Sequence, residues 1–222
     1  IVLTYRLARL LGLDRNWSAA AAGLLAIAPS FLFMAVQPMG DVTATLWCTA
    51  AIFFALRAGR RTRYAALCGV AFAIAVWVRP SNLLLAVAIG MAMRWRWRPL
   101  AIALAAAMPF AVALMIVNHT LYGSALATGY GSMGGLVSFS NLATHLPHYA
   151  RWLAILKTPI VFPGALLVAF DRRVGRWQSA LLLLWFGAFF GFYIFYQAYD
   201  AWWYTRFLLP AFPALLVATM LV

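Results

Sequence analysis

The residues that could do chemistry in this sequence sit in a few polar interruptions of otherwise apolar runs. The densest is Tyr196-Gln197-Ala198-Tyr199-Asp200-Ala201-Trp202-Trp203-Tyr204-Thr205-Arg206-Phe207, with an acid, an arginine, three tyrosines and two tryptophans. Trp and Tyr favour a membrane interface because their rings are amphipathic. Asp200 and Arg206 need a stronger reason, since ionisable groups at membrane depth are costly and usually functional. Asp41, after Gln37-Pro38-Met39-Gly40, and Arg79, before Pro80-Ser81-Asn82, are the comparable residues elsewhere. Two carboxylates and two guanidiniums of this kind suit proton transfer and the binding of an anion.

Each has a plainer reading. Asp41 precedes a helix and could be its N-cap, accepting a bond from a free backbone amide. Arg79 could be a helix-end arginine snorkelling to the interface. Asp200 could neutralise Arg206 in a salt bridge. What favours a site is that Ser81-Asn82 starts a helix beside Arg79, and that Arg206 stands in the first turn of a final helix. An arginine beside a helix N-terminus is suited to an anion.

The elements that must position these residues follow from composition. The chain has 222 residues, 66% of them apolar and 9% charged, with a mean hydropathy of +0.90. A soluble domain is about half apolar, so we expect an all-α, polytopic transmembrane helical bundle forming a single domain over residues 1–222. The net charge of +13 would suit nucleic acid if it lay on one face. The basic residues instead come in small groups between apolar runs, which is the spacing of topology control, and no nucleic acid is expected.

Taken in order, Ile1 to Leu11 reads as a partial helix and Ser18 to Val36 as a first span kinked at Pro29. Val42 to Leu56 returns, and Tyr64 to Val78 crosses again and stops before Pro80. Leu83 to Met93 follows. The last two have roughly 15 and 11 residues, about 23 and 17 Å, short of the ~30 Å hydrocarbon core. The turn between them is therefore recessed and lines a cavity or water. Leu100 to Val117 leads to a long loop, Asn118 to Tyr149, expected outside the cytoplasm and holding His119, His145 and His148. Ala150 to Phe170, Trp177 to Phe195 and Phe207 to Val222 complete about eight membrane segments.

Placing the turns at 6–15, 57–63, 94–98 and 171–176 on one side gathers thirteen of the seventeen Lys and Arg. The positive-inside rule makes that side cytoplasmic. Asp41, Arg79, the histidine loop, Asp200 and Arg206 then converge on the outer face of a plasma membrane.

Other patterns carry less. Gly129-Tyr130-Gly131-Ser132-Met133-Gly134 satisfies G-x-G-x-x-G without a preceding strand, so it reads as a loop. Gly187 and Gly191 read as a helix-packing groove. Cys48 and Cys68 read as small core residues, too far apart along their helices to pair. His145 and His148 flank Pro147 at a spacing that could share a metal, but no clear carboxylate partner accompanies them.

Gln37-Pro38-Met39-Gly40-Asp41, Val78-Arg79-Pro80, Asn118 with Tyr122-Gly123-Ser124 and Thr128-Gly129-Tyr130, and above all Tyr204-Thr205-Arg206-Phe207-Leu208-Leu209-Pro210 resemble the GT-C superfamily of membrane glycosyltransferases. The nearest branch is the bacterial one, similar to protein mannosyltransferases and the lipid A aminoarabinose transferase. The resemblance implies a multi-pass protein of the bacterial inner membrane. It implies inverting transfer of a sugar from a polyprenyl-phosphate donor to a lipid, glycan or protein acceptor at the outer face. It places Asp41 among acids of the catalytic pocket, Arg79, Tyr204 and Arg206 near the donor phosphate, and Asn118, Tyr130 and Asp200 around the substrate. A divalent metal stays open. The family's principal acid follows its first transmembrane helix, and nothing before Gln37 supplies it, so that helix and its outer loop are expected upstream of Ile1. A transporter or flippase, and a non-catalytic lipid-binding membrane subunit, remain the alternatives.

Overall fold

The computed structural model describes every residue except 128, 130–135 and 198, with the backbone alone at 157–160, 162 and 163. The described residues are mostly helical. The helices are α1 (Val2–Leu10), α2 (Arg15–Ala26), α3 (Pro29–Val36), α4 (Asp41–Arg57), α5 (Thr62–Val78), α6 (Leu85–Ala92), α7 (Trp97–Tyr122), α8 (Leu142–Leu167), α9 (Arg176–Tyr193) and α10 (Phe212–Leu221). Short 3-10 helices cover Pro80–Leu84, Phe139–Asn141 and Trp202–Ala211. A β-bridge joins Val137 to Tyr196.

Among the described residues two stretches are long and apolar enough to cross a membrane, Trp97–Tyr122 and Trp202–Leu221. A third is added if α2 and α3, bent by 54° at their junction, form one broken span. The bend falls at Pro29, whose missing N–H suits a first helical position and not an interior one. About eight segments were expected from the apolar runs. α4 and α5 have 17 residues each and α6 has 8, so length and composition alone do not make each of these a span.

α10 is the axis of the bundle, with Phe212 through Ala218 all buried. It packs against α2, α8 and α9. α4 and α5 form an antiparallel pair; α5 packs against α7, and α4 against α1, α6 and the 3-10 helix Trp202–Ala211. α5 and α7 approach closely at Gly69, where a Cβ would fall 1.9 Å from the Ala103 carbonyl oxygen. Trp77 Nε1 adds a hydrogen bond of 2.8 Å to the Phe110 carbonyl. The rest of α7 turns an apolar face outward, Leu104, Ile116 and Leu121 being mostly exposed.

The two ends of the bundle differ in charge. At one end the turns after α1, α4 and α6 and the start of α9 meet. There Trp177 Nε1 donates to the Met91 carbonyl at 3.0 Å, and the Arg57 guanidinium lies 4.7 Å from the Tyr64 ring centre. These are the basic turns. Asp41 and Arg79 lie at the other end of the α4–α5 pair, about 25 Å away at 1.5 Å per residue.

Three expected boundaries move. The final helix does not start at Phe207, because Pro210 and Pro213 lack N–H donors and crowd the carbonyls four residues back. Trp202–Ala211 is therefore 3-10, and α10 begins at Phe212. The long loop is shorter than Asn118–Tyr149. α7 runs on to Tyr122 and is closed by Gly123 at φ 75°, a left-handed C-cap that glycine adopts without strain. All three histidines consequently lie in helices, His119 in α7, and His145 and His148 in α8. Gly187 and Gly191 form no packing groove, since a Cβ on either meets nothing within 4 Å. Cys48 and Cys68 are free and buried, as small core residues are.

Candidate functional site

A cavity of about 1330 Å³ opens at the end where α4 begins and α5 ends. Asp41, Arg79 and Arg206 all line it, and so do the apolar side chains Leu83, Leu84 and Val87. Tyr122 at the end of α7, Ser124, Leu126 and Ala127 beyond it, and Tyr193 and Phe207 also contribute to the wall.

Asp41 is the first residue of α4 and is 1% exposed. Gly40 is the N-cap and the Asp41 side chain makes no capping bond, so the capping reading is set aside. Gly40 is needed for contact, because a Cβ there would lie 2.8 Å from Val78 Cγ1. Its absence lets the α3–α4 turn close onto the end of α5. Thr45 Oγ1 donates to the Asp41 carbonyl at 2.8 Å, which steadies the first turn.

That closure sets Asp41 Oδ1 2.6 Å from Arg79 Nη1. The two atoms are close enough for an ion pair but not aligned for a hydrogen bond. Asp41 Oδ2 has no hydrogen-bond partner among the described residues. Arg79 is extended, at φ −155° and ψ 115°, as the residue before proline prefers. Its side chain turns inward to the carboxylate, 15% exposed, instead of reaching for the surface.

Asn82 holds the break between α5 and α6. It is fully buried; its Nδ2 donates to the Ala75 carbonyl at 2.8 Å and its backbone N–H to the Arg79 carbonyl at 2.9 Å. The amide therefore caps the end of α5, where the sequence pointed to a helix start aimed at an anion. Ser81 Oγ accepts a hydrogen bond of 2.7 Å from the Tyr193 hydroxyl.

Arg206 is in the middle of the 3-10 helix, not in the first turn of an α-helix. Its Nη1 donates to Met39 Sδ at 2.8 Å, a weak acceptor for a cation. Its Nε is buried and has no hydrogen-bond partner among the described residues. The guanidinium lies 5.7 Å from the Tyr204 ring centre and 5.2 Å from that of Phe207. Arg79 lies 5.1 Å from the same Phe207 ring. Tyr193 stacks on Phe207 at 4.9 Å with the planes 6° apart. Phe207 thus gathers both cations at the cavity wall.

The other expected site residues are placed differently. Asp200 is exposed, lines no part of this cavity and does not pair with Arg206. Its Oδ1 accepts from Trp152 Nε1 at 3.2 Å and bonds His148 Nδ1 at 3.0 Å. The bonds from Trp152 and then from His148 hold its carboxyl below the ordinary value. His148 therefore does have a carboxylate partner, one that lies 52 residues away. Asn118 is on α7, and its Nδ2 donates to the Ala125 carbonyl at 3.4 Å. Tyr204 packs beneath Arg206. Tyr130 lies outside the described residues, as does most of the glycine pattern around it. Among the described residues no group of three or more His, Cys, Asp or Glu is placed to hold a metal.

Tyr193, Phe207 and Met39 join the site although their chemistry had not been singled out. Phe207 and Met39 stand inside patterns noted for their charged neighbours. Tyr193, a hydroxyl-bearing ring among phenylalanines near the end of an apolar run, was the available signal for its role.

The structure defines an all-helical chain with at least two helices long and apolar enough to span a membrane, and a charged cavity at one end. Compared with protein families, curated proteins and solved structures, the chain has no match.

Proposed function

We propose that this chain is the membrane-embedded part of a glycosyltransferase that moves a sugar from a polyprenyl-phosphate donor to an acceptor at the outer face of a bacterial inner membrane. One observation carries the reading: an acid and two arginines, drawn from three distant stretches of sequence, line one cavity whose walls are otherwise largely apolar. Such a cavity suits a lipid phosphate, with charge for the head and apolar walls for the first part of the tail. The orientation rests on the basic turns at the opposite end and the positive-inside rule. The further spans rest on the apolar runs.

In this reading Arg79 and Arg206 hold the donor phosphate and stabilise the charge it gains on leaving. The ion pair gives Asp41 its timing. Without ligand, Arg79 neutralises the carboxylate; a donor phosphate competes for that guanidinium and frees Asp41 to accept a proton. The acceptor hydroxyl oxygen attacks the anomeric carbon from the face opposite the phosphate. The carbon–oxygen bond to phosphate breaks with its electron pair on the phosphate, the acceptor proton passes to Asp41, and the configuration inverts.

The tie between Asp41 and Arg79 also favours a second reading, a subunit that binds a lipid phosphate without catalysis. Sugar transfer from radiolabelled polyprenyl-phosphate sugar by membranes carrying the full-length gene product separates the two. Asp41→Asn is expected to lower transfer by about 10²-fold or more, the usual contribution of a general base. Wild-type transfer by both Asp41→Asn and Arg206→Gln would sink the assignment, and unaltered donor binding without transfer in the wild type would favour the subunit.

A further inference from the structure

At the basic end of the bundle, far from Asp41, a second cavity of about 250 Å³ is lined by Arg60, Arg94 and Arg96 together with Trp177 and Gln178. None of its lining residues is acidic. The chain has four acids, and each is engaged elsewhere. Asp14 accepts from the Trp17 backbone N–H and Asp171 from that of Arg173; Asp41 pairs with Arg79 and Asp200 with His148. Three arginines from two separate turns therefore line one concave space with no carboxylate among its lining residues to balance them.

The backbone that presents two of them is strained. Arg94 and Trp95 have φ of 54° and 53°, consecutive left-handed residues that are not glycine. L-residues rarely adopt that conformation even singly, and it persists where surrounding contacts impose it. Here Trp95 N–H donates to the Gly90 carbonyl at 2.9 Å and Arg96 N–H to the Met93 carbonyl at 3.2 Å. The Trp95 ring lies where a Cβ on Gly90 would be 2.5 Å away. The turn sends Arg94 over the Trp177 ring at 4.9 Å. It also brings Arg96 Nη1 to 3.5 Å from where a Gly59 Cβ would be, beside Arg60. A stacked guanidinium keeps its in-plane N–H donors free for an anion. Trp95 and Trp97, next to Arg94 and Arg96 in sequence, are exposed, as aromatic residues are at a membrane interface.

We propose that Arg60, Arg94 and Arg96 form a phosphate-binding site at the basic end of the bundle, taking either the headgroup of an anionic phospholipid or free phosphate. The site is independent of the transferase reading and stands at the opposite end from its cavity. Scattered positive charge would serve topology equally well on any of the four basic turns; a site depends on these three residues. Planar guanidiniums around one phosphate form charge-assisted bonds that survive where diffuse attraction is washed out.

Native mass spectrometry of the full chain in mild detergent, after incubation with phosphatidylglycerol or with inorganic phosphate, tests this. The expected result is one retained phosphate-bearing adduct. Its retention falls on the order of tenfold or more in the Arg60→Gln, Arg94→Gln, Arg96→Gln variant. The charge-matched Arg6→Gln, Arg15→Gln, Arg173→Gln variant retains it as the wild type does. An adduct with phosphatidylglycerol that inorganic phosphate does not displace assigns the lipid headgroup; full displacement assigns free phosphate. Should the triple variant not fold, Arg60→Gln alone, outside the strained turn, is expected to lose retention several-fold. Equal loss in both triple variants, no loss in Arg60→Gln, or no adduct with either probe overturns the site.

Discussion

Arg79 Nη1 lies 2.6 Å from Asp41 Oδ1, joining the residue that ends α5 to the one that begins α4. Removing one partner of a buried pair strands the other, and Asp41 is the more deeply buried of the two. Arg79→Met is therefore expected to destabilise by about 3–5 kcal/mol, and Asp41→Asn by less, because Arg79 keeps some contact with water. The double variant should recover much of the loss. Denaturation in detergent, run as a double-mutant cycle, measures the coupling.

Phe207 touches both guanidiniums and stacks on Tyr193. Replacing it with Leu keeps the apolar wall and removes the ring, at about 0.5–2 kcal/mol for each cation lost. Under the proposed transferase function, donor affinity should weaken more than turnover, and Phe207→Tyr should restore it. An unchanged KM for the donor in Phe207→Leu would show that the ring does not set the arginines.

Gly69 is a point of close approach between α5 and α7, against the Ala103 backbone. A methyl group there has backbone on its far side and no flexible side chain to displace, so the helices must part. Gly69→Ala is expected to cost about 1–3 kcal/mol, the range for overpacking. Thermal unfolding of the purified chain reads this directly, and a neutral result would mean that the two helices slide without loss.

Asp200 ties the polar stretch before Trp202 to α8 through Trp152 and His148. Its carboxyl titrates below its ordinary value in the folded chain. The tie is therefore in place above the unfolded value of about 4 and is released as pH falls through the lower, folded one. Protection of residues 199 to 206 from hydrogen exchange, corrected for the intrinsic rate at each pH, should fall in that acid range and stay high above it. In Asp200→Asn the corrected protection should not change across the range; an acid-dependent loss of protection in that variant would assign the release to another group.

Much of the scaffold could be read locally. Pro80 ended α5 at Arg79, Pro29 marked the α2–α3 bend, and the basic turns that the apolar runs separated do meet at one end. Proline geometry and clustered charge act within a few residues, so no knowledge of neighbours is required. Two boundaries moved although their signals were also local, a proline or a glycine standing a few residues beyond the expected helix end. Pro210 and Pro213 converted the start of the last helix to 3-10, and α7 carried past Asn118 to Gly123.

What the amino-acid order determined by itself was a helical chain with stretches long and apolar enough to span a membrane, the places where its helices break and the residues that interrupt its apolar runs. Only the tertiary structure decided the partners: Arg79 with Asp41, Asp200 with His148, and Arg206 against Phe207 and Met39. Helices apolar around most of their circumference carry no stripe to say which face turns inward. Their mutual rotation comes from close approaches such as Gly40 on Val78 and Gly69 on Ala103, and those contacts exist only once the helices are packed.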